Sequence, residues 1–455
     1  MDSLAERVGR PDGFQLTDGS RVAVIGGGPA GSLTSYFLLQ TAAMIDLELD
    51  VEIFEPRDFS QVAPKGCNMC GGIISETLVQ NLAAEGIILP PRVVRRGVQS
   101  YVLHMDVGSV RIEPPLAEKR IASVYRGAGP RDLKIARWDS FDRHLLRLAE
   151  EQGARVTRSR IDRVAFDGDR PTVTPRGGEA TAVDLVVVAV GVNSSALKLF
   201  EGVDLGYRSP ITTKTFIREY HLGEDVINAT LGDAMHVFLL NIPRLEFAAI
   251  IPKGDYVTVC LLGDAIDAEL VESFLTSPEV RACMPPDWSF DPKSCQCAPK
   301  ISVVGAPRPF ADRLVFVGDC GVTRLYKDGI GAAYRTAKAC ATTAVFEGTS
   351  ADSFRRHYWP VCRAIRNDNA IGKLSFAVTR QFQRRRIARR ALLGMTAREQ
   401  RGEYRAKDMS QVMWDMFTGS APYREVVART LHPRFLARLS WEFVRSGVSA
   451  GGGMA

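Results

Sequence analysis

The sequence contains no run of eighteen or more apolar residues, so no helix is expected to cross a membrane. Its opening residues, MDSLAERVGRPDGF, lack the apolar core of a secretion signal, and a cytoplasmic protein is expected. Histidine is scarce: none of the six lies in an H-E-x-x-H spacing, which argues against a histidine metal centre of that kind. His104 and His236, on alternating strands, are therefore read as structural residues. No internal repeat, recognised nucleic-acid module or second glycine fingerprint is present, and nucleic acid is not an expected partner. The nine cysteines do not imply a disulfide framework in a cytosolic chain, where thiols stay reduced.

What is present describes a large soluble chain. At 455 residues, with 45% hydrophobic and 24% charged residues, it is too long for one core, so two or three domains are expected. Runs of buried-strand type occur at 21–25 (RVAVI), 51–55 (VEIFE), 184–190 and 314–318. Between them lie blocks that alternate like antiparallel sheet, at 98–137 and 207–265. FDRHLLRLAEEQGA (141–154) is a strongly amphipathic helix, and the chain after 350 reads as helical. The expected fold is α/β: a discontinuous Rossmann-like dinucleotide domain (21–100, 138–200 and 300–350). It is interrupted by an antiparallel-sheet domain (101–137 and 201–299) and followed by a helical region (351–455).

The first buried strand ends in GGGPAG, where Gly26, Gly28 and Gly31 form G-x-G-x-x-G before a helix. The first glycine permits the tight turn, the second a close approach of backbone to a pyrophosphate, and the third close helix–strand packing. The helix N-terminus then offers free N–H groups to phosphates. Glu55 ends the second strand, where a carboxylate can accept hydrogen bonds from ribose hydroxyls. Downstream, DLVVVAVGVNS resembles the strand and turn that flavoproteins place beside their cofactor. VFVGDCG resembles their late G-D motif, with Asp319 toward the ribityl chain. The helix opened by Gly329, Ile330 and Gly331 would point its positive end at the flavin and stabilise its reduced anion. FAD is the cofactor these motifs indicate.

The order of these motifs resembles the p-hydroxybenzoate-hydroxylase-type FAD fold and, within it, the geranylgeranyl reductase family, over roughly residues 20–350. RWDSFD (137–142) is similar to that family's R-x-x-F-D step, CGGIIS (70–75) to its C-G-G-G-L-S loop, and FAAIIPKGD (247–255) to its Y-x-W-x-F-P-K-G-D signature. The resemblance implies reduction of isolated double bonds in prenyl chains by flavin, with NAD(P)H or reduced ferredoxin as donor. Arg137, Ala30 and Val164 complete the expected cofactor contacts. Two departures stand out: Ala249 and Ile251 replace aromatics that line the family's prenyl tunnel. Arg324, Lys327 and Asp328 also place charges where the late motif carries a proline, and charges beside a flavin tune its potential.

Cys67 and Cys70 form C-x-x-C in a loop expected to cover the flavin, while Cys295 and Cys297 form C-x-C, with Cys283 twelve residues before Cys295. Three readings stay open: small packed residues, a redox dithiol at Cys67 and Cys70, or a zinc or iron–sulfur site on all four. Tyr326 and Lys327, beside the late motif, are candidates to donate a proton or hold an anion. From Arg380 to Lys407 ten basic residues face only Glu399 and Glu403. With Trp414, Phe417, Phe435 and Trp441 beyond, residues 380–445 read as a contact for an anionic membrane, a cap on the fold, or a homodimer interface. The leading reading is an FAD-dependent oxidoreductase acting on a small-molecule or lipid substrate between the domains. The alternatives are a flavoprotein passing electrons to membrane quinone, with or without a cysteine-bound metal or iron–sulfur centre, and a non-catalytic flavin-bound sensor.

Overall fold

A computed structural model describes residues 13–67, 71–114, 121–166, 168–201, 206–289 and 294–451. The first sheet has six strands, in the order Phe310–Ala311, Leu314–Phe316, Leu185–Val188, Ser20–Ile25, Leu49–Phe54 and Arg155–Thr157. All pair in parallel except the edge hairpin at Phe310–Phe316. Leu185–Val188 is buried along its whole length, which is why LVVV reads as a continuous apolar run and not as alternation. Helices Pro29–Ala43 and Gly329–Phe346 pack on one face together with Phe141–Glu151.

The second sheet has seven strands, in the order Gln296–Cys297, Phe216–His221, Tyr256–Gly263, Leu245–Lys253, Ala234–Phe238, Ser100–Met105 and Gly108–Ile112. Its one parallel pairing joins Ala234–Phe238 to Ser100–Met105, with Phe238 opposite His104. Alternation gives the sheet two apolar faces. Met235, Phe247, Ala249 and Ile251 point one way, into a core shared with the C-terminal helices. Phe238, Ala248 and Ile250 point the other way, against helices Ala268–Leu275 and Pro278–Arg281.

The C-terminal helices Trp359–Arg384, Arg386–Gln400, Asp408–Thr418, Tyr423–Thr430 and Pro433–Gly451 close over both sheets. Asn369 donates to the Thr323 carbonyl at 2.8 Å, Tyr423 to the Leu325 carbonyl at 2.7 Å, and Trp414 Nε1 to Glu76 at 3.0 Å. Arg389 forks onto the Asp106 carboxylate, and Arg398 pairs with both oxygens of Glu442. The aromatic part of the expected membrane face is thereby corrected. Trp414, Phe417 and Phe435 are core residues, Phe435 being 3% exposed, whereas Trp441 is 55% exposed. Their helices spend these rings on the seven-stranded sheet, because covering its apolar face removes more hydrocarbon from water than surface display would.

Candidate active site

After Ser20–Ile25 the chain turns at Gly26 with φ of +108°, a conformation that side chains rarely adopt. A Cβ at Gly26 would lie 2.6 Å from the Ala189 carbonyl oxygen, and one at Gly31 would lie 1.8 Å from that of Gly26. Both positions therefore require glycine. Helix Pro29–Ala43 follows with Pro29 in its first turn and no side-chain cap, leaving backbone N–H groups for an outside acceptor. Gly26, Gly28 and Ala30 form one wall of a cavity of about 700 Å³.

Glu55 lines the same wall. Its carboxylate accepts from the Gly27 N–H at 2.9 Å and from the Arg57 N–H at 2.9 Å. Burial pushes its carboxyl above the usual carboxylate range, opposed by those two donors. The carboxylate is thus fixed in place, with acceptor capacity left for hydroxyls in the cavity.

The cavity is also lined by Asp319, on the short turn Gly318–Cys320, and by Gly329 with Ile330, which open helix Gly329–Phe346. A Cβ at Gly329 would come within 3.5 Å of Asp319 Oδ1 and 3.6 Å of Thr323 Oγ1. The absent side chain leaves room between these two polar groups. Thr323 Oγ1 is buried without a hydrogen-bond partner, and such a hydroxyl costs stability until a ligand or water meets it. Two helix N-termini, an anchored carboxylate and an orphan hydroxyl around one cavity fit a dinucleotide cofactor. Glu55 would take the ribose, the Gly26–Gly31 turn the pyrophosphate, and Asp319 with Thr323 the polyol and ring.

The cavity continues between the sheets, where Ile217, Met235, Phe247, Ala249, Ile251 and Leu262 make an apolar chamber with Phe417. Tyr326 lies on its border in a left-handed conformation, φ +61°, its ring edge-on to Phe376 with centroids 5.0 Å apart. Such strain in a non-glycine residue is characteristic of functional sites. Burial, with Glu246 adding to it, pushes the phenol up to about 12, so it keeps its proton at neutral pH.

Several expected positions lie elsewhere. Arg137 is 60% exposed in its side chain and pairs with Asp255 at 3.1 Å, away from the cavity. Arg126 is one of the arginines that do line the cavity, and it is bound to both oxygens of the buried Asp142 at 2.9 and 2.8 Å. Val164 packs in the core with Ile25 and Phe54, and its strand reaches the cavity through Ile161 and Asp162. Gly331 packs against the cap: a Cβ there would sit 2.1 Å from Asp328 Oδ1. Arg324 and Lys327 border the cavity but are bound to C-terminal carbonyls, Arg324 to Gly419 and Ala421, Lys327 to Asp415 and Met416. Burial pushes the Lys327 ammonium well below its ordinary value, with Arg324 adding to the shift. These two side chains fasten the C-terminal helices to the rim of the cavity.

Cys70 lies outside the described residues. Cys67 is partly exposed; Cys295 and Cys297 are partly buried, and burial raises both of these thiols, with the nearby Cys67 adding to the shift. Cys260, on strand Tyr256–Gly263, lines the cavity itself. Cys67, Cys295 and Cys297 do not converge as a ligand set among the described residues. His104, His236 and Cys283 do, with ligand atoms all within 4.8 Å of one another. No local motif announces that trio, because its members lie on three segments far apart in sequence.

No protein-family model matches the chain. It is 24% identical over 348 residues to the geranylgeranyl diphosphate reductase of Synechocystis sp. (strain ATCC 27184 / PCC 6803 / Kazusa), covering 71% of this chain and 75% of that protein. Among solved structures it is similar to a geranylgeranyl bacteriochlorophyll reductase-like protein from Thermoplasma acidophilum, with a TM-score of 0.63 and 16% identity over 91% of this chain and 99% of that one. It is also similar to the p-nitrophenol 4-monooxygenase of Pseudomonas putida DLL-E4, with a TM-score of 0.60 and 14% identity over 89% and 98% of the two chains. The chain is a flavin-dependent oxidoreductase in fold, with a geranylgeranyl reductase among its sequence relatives.

Proposed function

We propose that the protein binds FAD in the cavity beneath the Gly26–Gly31 turn and reduces a carbon–carbon double bond of an apolar, prenyl-type substrate. The observation that carries this reading is the continuity of one cavity, from the glycine turn and Glu55 to a chamber lined by Ile217, Met235, Phe247, Ala249, Ile251 and Leu262. Bound flavin supplies hydride chemistry; the protein supplies the rest. Glu55, the glycine turn and Asp319 hold the cofactor. Met235, Phe247, Ala249, Ile251 and Leu262 exclude water and orient the chain. Tyr326, protonated at neutral pH and at the border, donates the proton that the second alkene carbon needs. Ala249 and Ile251 face the chamber where the resembling family carries larger rings, so this chamber admits a bulkier or branched chain.

The test is anaerobic reoxidation of the dithionite-reduced protein by geranylgeranyl diphosphate, with mass spectrometry of the product. A gain of two hydrogens per double bond, matched to flavin reoxidised, supports the reading. Reoxidation by quinones alone, with no reduced prenyl product, would refute it.

We further propose that one face of the C-terminal region meets an anionic lipid surface. Leu374, Val378 and Gln381 follow helical spacing on Trp359–Arg384 and are exposed, and exposed Arg384, Arg385, Arg386 and Ile387 lie at its junction with the next helix.

A further inference from the structure

On the face of the seven-stranded sheet opposite the cavity, His104, His236 and Cys283 meet in a buried cluster. His104 comes from strand Ser100–Met105 and His236 from strand Ala234–Phe238, while Cys283 follows the short helix Pro278–Arg281. His104 Nε2 lies 2.8 Å from His236 Nδ1, and the Cys283 sulfur lies 3.6 Å from each of these nitrogens. The outer ring nitrogens are also held: His236 Nε2 is 3.1 Å from the Leu231 carbonyl oxygen, and His104 Nδ1 is 2.8 Å from Ser109 Oγ. A carbonyl can only accept, so Nε2 of His236 carries the proton and its Nδ1 presents a lone pair to the cluster. We propose that this cluster is a binding site for a borderline-soft divalent transition metal, zinc by its donor set, which clamps the two strands to their helical cover.

The geometry supports it edge by edge. Tetrahedral zinc, with Zn–N of about 2.0–2.1 Å and Zn–S of about 2.3 Å, separates its nitrogen and sulfur ligands by about 3.6 Å and its nitrogens by about 3.3 Å. Both nitrogen–sulfur edges are already at the first distance, and the nitrogen–nitrogen edge needs to open by about 0.5 Å. Ligating imidazoles characteristically donate their second N–H to a carbonyl or other acceptor, the arrangement seen at His236. Binding converts the Cys283 thiol to thiolate and releases its proton to solvent, and water fills the fourth corner. Phe238, stacked on His104 at 4.7 Å, shields one side of the site. The competing account is a closed hydrogen-bonded cluster that binds nothing.

Elemental analysis of the full chain, purified with added Zn(II) and then dialysed without it, discriminates between the two. The proposal expects about one zinc per chain, retained in Cys295→Ser and lost in Cys283→Ala and His236→Gln, with flavin content unchanged in all three. Retention in Cys295→Ser separates this centre from one built on the cavity-side cysteines. Should a variant lose flavin through misfolding, Co(II) titration of the chelator-stripped wild-type chain decides. A saturating thiolate-to-cobalt charge-transfer band with release of one proton confirms the site. Absence of that band at saturating Co(II), or zinc content equal in wild type and Cys283→Ala, overturns it. Because flavin content is read separately, failure here leaves the cofactor assignment untouched, and the reverse holds too.

Discussion

Gly31→Ala probes the cofactor turn with the smallest possible change. The new methyl would lie 1.8 Å from the Gly26 carbonyl oxygen and 3.2 Å from Val24 Cγ1, where contacts below 3.0 Å essentially never occur. The helix start must therefore retreat by at least 3.0 − 1.8 = 1.2 Å. Overpacking of this kind costs about 1–3 kcal/mol of stability. The same retreat stretches amide-to-phosphate bonds past useful length. Each such bond to a charged group is worth about 1.5–3 kcal/mol, so losing two weakens FAD binding by about 100-fold or more. Gly178→Ala is the control, because its methyl would meet Pro175 Cβ at an ordinary 3.5 Å. The assay is equilibrium titration of the deflavinated variants with FAD, followed by flavin fluorescence, alongside thermal melts. An alanine variant at 31 that binds FAD within about threefold of wild type, with an unshifted melt, would refute the reasoning.

Other outcomes follow from single residues. Burial raises the folded-state pKa of Glu55, so protonation begins above the usual carboxylate range and removes an acceptor from the ribose site. FAD affinity measured by calorimetry should fall as pH drops from about 8 to about 5, and Glu55→Gln should be weaker at neutral pH and nearly flat across that range. Tyr326→Phe should keep flavin and fold but lower turnover by about 10²-fold or more, as removal of a proton donor does; unchanged turnover would return the tyrosine to packing. Arg384→Ala, Arg385→Ala and Arg386→Ala together should weaken co-sedimentation with anionic vesicles by about 1 kcal/mol per charge and leave the melt unchanged, since all three are exposed. Binding insensitive to salt, or to this triple change, would sink the membrane reading.

The parts of the fold carried by local physics were legible in the sequence. GGGPAG announces a turn because three of its glycines have no room for a methyl, and FDRHLLRLAEEQGA announces a helix that forms at Phe141–Glu151 behind a Ser140 cap. The buried runs reveal a parallel sheet because both of its faces are covered. Non-local pairing was less legible. Arg155–Thr157 is too short to signal itself and becomes an edge strand only by pairing with Leu49–Phe54. Arg137 carries the motif, yet the buried Asp142 takes its partner from Arg126, sixteen positions upstream. The aromatics of the C-terminal helices resemble a membrane face when read alone, because nothing local reveals that an apolar sheet needs covering. His104, His236 and Cys283 meet only through a parallel strand pairing and a helical return, which no spacing rule encodes.

The most direct test of the central claim is the visible spectrum of the purified full-length protein, with mass analysis of whatever acid releases from it. The account predicts a yellow protein carrying one FAD per chain, bleached by anaerobic dithionite, with Glu55→Gln and Gly31→Ala partly or wholly colourless. A colourless wild-type chain that takes up no FAD when excess cofactor is supplied, while still melting cooperatively, would contradict it.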